Sequence, residues 1–146
     1  MDSATATTTS DRRPTVLVIN NSEEVIEIIS LVLSEHGFNV VSEYKVTPGT
    51  GEPELAAYIA RHNVDVVVWD IGLPYAQIWS YFQEVKDSGA FGRCGIVLTT
   101  TNKAALESIV GPTPAHEIVG KPFDLDELVE AVREALPPDA VRPANV

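Results

Sequence analysis

Cysteine is almost absent: Cys94 stands alone in 146 residues. That excludes an internal disulfide and any zinc site built on cysteine. Long apolar runs are missing too, since stretches such as Val64 to Trp69 fall far short of the roughly 20 residues a membrane-spanning helix needs. Basic side chains are few. Ten Lys and Arg stand against twenty-one Asp and Glu, for a net charge of −11. Such a field repels phosphate backbones and argues against unspecific nucleic-acid binding. No basic-then-apolar leader opens the chain, so a cytoplasmic protein is expected. With 45% hydrophobic residues the composition is that of a globular chain of about one domain.

The opening MDSATATTTSDRR holds no large apolar side chain beyond Met1, and the closing PPDAVRPANV carries three prolines in ten residues. Neither offsets the entropy of ordering, so loose tails are expected over 1–14 and 137–146, with the folded unit at 15–136. Inside that unit two hydrophobic periods alternate. Val16 to Ile19 is a continuous apolar run suited to a strand buried on both faces. Val25, Ile28, Ile29, Val32 and Leu33 follow at helical spacing and stop at Gly37, with Asn21 or Ser22 as cap and Glu23 and Glu24 in the first turn. Phe38 to Tyr44 reads as a second strand, and a helix opening near Pro53 carries Leu55, Tyr58 and Ile59. Val64 to Trp69, with four valines, is the clearest strand of all.

Tyr75, Ile78, Trp79, Phe82 and Val85 form the next helical stripe, in which Trp79 and Tyr81 compete for the inward face. Gly95 to Leu98 is a fourth strand, Ala105 to Val110 a short helix, and His116 to Val119 a fifth strand. The last helix has Asp124 as cap, Glu127 in the capping-box position, and Leu125, Leu128, Val129, Val132 and Leu136 on one face. Strands alternating with helices in this way predict an α/β doubly wound fold: a five-stranded parallel sheet covered on both sides. In such sheets chemistry gathers at the carboxyl ends of the strands. That rule nominates Asn20 and Asn21, Asp70, Thr99 and Thr100, and Lys121.

On these residues the chain resembles a response-regulator receiver domain of bacterial two-component signalling. The likeness rests on VVVWDIGLP with Asp70 ending the third strand, IVLTT with Thr99 ending the fourth, and VGKPFDLDEL with Lys121, Pro122 and Phe123 before the last helix. It implies a flavodoxin-like (βα)5 sheet in the order 2-1-3-4-5. It also implies that Asp70 is the phosphoacceptor, that Lys121 pairs with its carboxylate, and that the Thr99 hydroxyl meets the incoming phosphoryl group. A fixed ammonium and a hydroxyl donor suit the charge that gathers on phosphoryl oxygens.

Two departures stand beside the match. Where the family holds magnesium with an acidic pair, this chain has Asn20-Asn21. The family's metal position would here be Asn21, Asp70 and Gly72, and it is expected to be weak or empty because magnesium prefers charged oxygens. No other cofactor is expected. Three residues before Lys121, where the family carries an aromatic switch residue, stands Ile118.

The expected function is that of a stand-alone, atypical receiver, not an enzyme, acting by protein–protein contact with a histidine kinase or a downstream effector. A homodimer through the fourth helix, fifth strand and fifth helix, with Leu106, Ile118 and Val132 nearby, is a further expectation from the resemblance. The first alternative is a conventional phosphorelay receiver that takes a phosphoryl group on Asp70. The second is an enzyme on the same fold. A haloacid-dehalogenase-type phosphatase needs a second aspartate two residues after the first, where this chain has Gly72, and no glycine-rich phosphate loop is present.

Overall fold

The computed structural model describes residues 13–20, 22–42, 52–71, 74–100, 104, 107–108, 117–120 and 125–138. Within them run β1 (Thr15–Ile19), α1 (Glu23–Glu35), β2 (Asn39–Val41), α2 (Glu52–His62), β3 (Val64–Asp70), α3 (Tyr75–Asp87), β4 (Gly95–Thr100), β5 (Glu117–Gly120) and α4 (Leu125–Ala135). The strands form one sheet in the order β2-β1-β3-β4-β5, and every pairing is parallel. This is the doubly wound order expected.

Alternate side chains of the central strands feed two separate cores. Leu17, Ile19, Val67, Trp69 and Leu98 point to the layer of α2 and α3, where Leu55, Tyr58, Ile59, Trp79, Phe82 and Val85 meet them. Val16, Val18, Val66, Val68 and Val97 point the other way, onto Ile29 and Leu33 of α1 and Leu128, Val129 and Val132 of α4. Val66, Val67 and Val68 are fully buried, each worth about 1.5–3 kcal/mol of transfer from water. That double burial is why β3 reads as a run rather than an alternation.

The α3 layer is aromatic. The Trp69 ring meets Phe82 edge-on at 5.4 Å, Phe91 at 5.9 Å and Tyr81 at 6.1 Å, while Trp79 stacks on Phe82 at 5.3 Å. Trp79 and Tyr81 therefore both pack against the core, one buried and one half-buried. The expectation that they cannot both face inward, leaving one exposed, is therefore corrected: Tyr81 packs on Trp69 at an edge-to-face angle and neither is exposed.

Other expectations shift. The second strand is shorter than Phe38 to Tyr44: the ladder covers Asn39–Val41, with Phe38 buried just ahead of it and 43–51 outside the described residues. Ile28 does not join the inward stripe of α1. It is half exposed, and Ile29 and Leu33 carry the contact with the sheet. Ser22 caps α1, its Oγ accepting the Val25 N–H, and the chain leaves at Gly37 with φ 91, a conformation that costs glycine little.

Of the helix expected over 105–110 only Glu107 and Ser108 are described, both helical. His116 and the Asp124 cap lie outside the described residues, as does most of both tails. Pro14 is described and buried, and its carbonyl accepts the Asn39 N–H at 2.8 Å.

Gly95 opens β4 directly beneath the end of α4, where an added Cβ would run into the Ala135 carbonyl oxygen. Gly95→Ala is expected to cost about 1–3 kcal/mol, as overpacking does, read as a lower urea midpoint; an unchanged midpoint would mean that α4 moves aside freely. Next to it, the half-buried Cys94 thiol donates to the Val64 carbonyl at 3.1 Å. Burial first, and then the Asp65 carboxylate, push that thiol up to about 12 against an opposing pull from Arg93. Thiolate is the reactive form, so iodoacetamide at pH 8 should modify the folded chain far more slowly than the urea-unfolded chain. Because unfolding lets the thiol ionise at its lower ordinary value, this group also takes stability away as pH rises above about 9.

Candidate functional site

The site is built by strand register. Ile19 of β1 pairs with Trp69 of β3, and Asp70 of β3 pairs with Thr99 of β4. At the carboxyl ends of three adjacent strands the order is therefore Asn20, Asp70, Thr99. Each comes from a distant part of the chain and stands at or next to the end of its strand.

Asp70 is the last residue of β3 and half-buried, whereas Thr99 is 1% exposed. The Thr99 hydroxyl donates to Asp70 Oδ1 at 2.7 Å. The backbone closes the same junction: the Ile71 N–H donates to the Thr99 carbonyl at 2.7 Å, and Ile71 is fully buried. A hydrogen bond to a charged acceptor in a partly buried place is among the stronger ones, about 1.5–3 kcal/mol. The carboxylate is thus held by a donor whose own position is fixed by the sheet.

Asn20 is half-buried on the other side of Asp70. Its Oδ1 accepts the Ser22 N–H at 2.8 Å, an Asx turn that leads the chain into the cap of α1. This decides what the side chain offers. An aspartate here could give one oxygen to Ser22 and keep the other, with its charge, for a cation. Asparagine has one oxygen, which is uncharged and already accepts the Ser22 N–H; the remaining amide nitrogen is a donor.

Among the described residues at these strand ends, Asp70 is the one carboxylate. Magnesium binds through charged oxygens and sheds its water reluctantly, so the described residues do not fit it. Asn21, Gly72 and Lys121, the remaining residues nominated for the site, lie outside the described residues, together with Pro122 and Phe123. Ile118 is on β5 opposite Leu98 in the ladder.

No family model matches the chain. Relatives and solved structures do. The chain is 30% identical over 129 residues to the probable transcriptional regulatory protein TcrX of Mycobacterium tuberculosis, covering 87% of this chain and 52% of that one. It is 25% identical over 122 residues to the response regulator Rre1 of Synechocystis, covering 83% and 51%. It thus spans about half the length of the curated relatives it matches. In structure it is similar to the chemotaxis protein CheY4 of Vibrio cholerae, with TM-score 0.62, 20% identity and coverage of 86% and 100%. A response regulator from Thermotoga maritima superposes equally well, with TM-score 0.62, 21% identity and coverage of 85% and 98%.

Relatives that are regulatory proteins, and solved structures with the receiver fold, support a divergent receiver domain. The receiver's aspartate and threonine were both legible as strand ends. Their direct bond was not, because it needs the β3–β4 register. Nor was the use of the Asn20 oxygen, although its place two residues before a helix cap is a known Asx-turn signal.

Replacing Thr99 by valine, which keeps the shape and removes the hydroxyl, should cost the receiver about 1–3 kcal/mol in urea unfolding. Thr99→Ser, which keeps the donor, should cost less. Equal losses would show that packing, and not the bond to Asp70, is what Thr99 supplies.

Proposed function

We propose that this receiver acts in signal transduction through protein–protein contact, without depending on a phosphoryl group, and that metal-dependent phosphorylation of Asp70 is impaired or absent. The observation that carries the reading is the Asn20 amide beside Asp70, with its single oxygen already bound to the Ser22 N–H. Phosphorylation would form a bond from an Asp70 oxygen to phosphorus while the bond from phosphorus to the donor's leaving group breaks. Negative charge then crowds beside a carboxylate, and it needs a cation.

Each carboxylate replaced by an amide removes about 4 kcal/mol of raw attraction per unit of ion charge at 4 Å and an effective dielectric near 20. Solvent reduces the size of that loss and not its sign. The same replacement removes the like-charge repulsion that a metal-free acidic cluster would suffer. Asp70 then rests on the Thr99 hydroxyl, and in this reading also on Lys121, in a single conformation. Ile118 in place of a swinging aromatic ring fits a domain that has no second pose to report.

The partner is then another signalling protein, a histidine kinase or a downstream effector, and the domain itself is not an enzyme. The matched relatives carry the names of regulatory proteins. Among the described residues no helix is long and apolar enough to cross a membrane.

The test is incubation with acetyl phosphate and millimolar magnesium, followed by intact-mass measurement. The natural chain should gain no phosphoryl group. The double variant Asn20→Asp with Asn21→Asp should gain one, and adding Asp70→Asn should abolish that gain. Ready phosphorylation of the natural chain at Asp70 overturns the proposal, as does a folded double variant that still gains nothing.

A further inference from the structure

The hydrogen bonds that start α1 run through two side chains in series. The Asn20 Oδ1 accepts the Ser22 N–H at 2.8 Å. The Ser22 Oγ accepts the Val25 N–H at 3.3 Å, and the Ser22 carbonyl accepts the Ile26 N–H at 3.0 Å. The Ser22 and Val25 N–H groups are among those for which a helix supplies no partner of its own.

Both ends of this series are placed by the fold. Asn20 is the first residue after β1, a strand that is buried throughout and whose Ile19 is paired with Trp69 of β3. The core grips α1 firmly from Ile29 onward, whereas Val25 is only partly buried against it. The position of the first turn is therefore left to Asn20 and Ser22.

Charge matters here as much as geometry. The Asn20 amide is neutral, so its hold on Ser22 does not follow the charge at Asp70 on the neighbouring strand. A carboxylate at position 20 would stand like charge beside like charge, and its hold would depend on what neutralised the pair.

We infer that Asn20 is a latch, a neutral side chain at the sheet edge that fastens the first turn of α1 to β1 whatever the ionic state of Asp70. The strand ends and α1 are coupled through the backbone of Ser22, and the start of α1 keeps one position with or without a cation or a phosphoryl group nearby. This deepens the phosphate-independent reading and rests on it for its meaning in signalling, while the latch itself rests on the hydrogen bonds.

The test is amide hydrogen exchange on the full chain, residue by residue, in millimolar magnesium and in EDTA. Asn20→Ala should speed exchange at Ser22, Val25 and Ile26 by about fivefold to tenfold, as loss of one ordinary hydrogen bond does, while Val97 and Leu98 of β4 keep their protection. Asn20→Asp, which keeps an acceptor, should restore most of that protection but make it respond to magnesium and to Asp70→Asn. Neither of those changes should move the three amides of the natural chain. Ser22→Ala, which removes the hydroxyl and keeps the N–H, should speed Val25 and leave the Ser22 amide protected.

Unchanged exchange at Val25 and Ile26 in Asn20→Ala would show that the core alone positions the first turn, and would overturn the latch. So would a response of these amides in the natural chain to magnesium or to Asp70→Asn, or an Asn20→Asp chain as loose as Asn20→Ala. Labelling of the natural chain at Asp70 by acetyl phosphate, with these amides unmoved, would instead overturn the phosphate-independent reading and support the latch.

Discussion

Everything in this molecule follows from the need to bury the central strand on both sides. A parallel strand leaves no face for water, so Val66 and Val68 feed one core while Val67 and Trp69 feed the other. Helices must then cover both faces of the sheet, and they leave its carboxyl edge open. Asp70 is polar and half-buried because it is the last residue of that strand, one step beyond the ring of Trp69. The same rule sets Thr99 and Asn20 at the ends of the neighbouring strands. The site is where the paired strands end, with Asp70 and Asn20 half-buried beside the fully buried Thr99.

What the edge can do is decided by the number and charge of its oxygens. Magnesium prefers charged oxygens and sheds its water reluctantly. Here the described part of the edge has one carboxylate, flanked by a hydroxyl donor and by an uncharged amide whose oxygen accepts the Ser22 N–H. In the function proposed above, that composition stabilises a resting carboxylate and holds a divalent cation poorly. In that proposal an amide in place of a carboxylate does two things: it lowers attraction for a metal, and it removes the repulsion that would make an empty acidic pocket costly. The fold keeps its shape because neither effect reaches the valine core.

The α1 helix links this edge to the outer surface. Its first turn is fixed by the Asx turn of Asn20 and the Ser22 cap, and its inward face by Ile29 and Leu33. The outward face is then left with Ile28 and Leu31 between glutamates, an arrangement with no role in the core.

The sequence by itself determined the alternation of strands and helices, hence a parallel sheet, and the residues at the strand ends, though not the short extent of β2. Those depend on local apolar runs, helical periods and the handedness of crossovers, which short segments carry. It also determined the charge of the site, since amide or carboxylate is a matter of composition. Tertiary structure decided the contacts that depend on register and on neighbours. Thr99 reaches Asp70 only because β4 pairs with β3 at that offset, and Gly95 must stay small only because α4 ends above it. Likewise, helical spacing alone gave Val25, Ile28, Ile29, Val32 and Leu33 one common stripe. In the packed structure Ile29 and Leu33 face inward, and Ile28 is turned out beside Leu31.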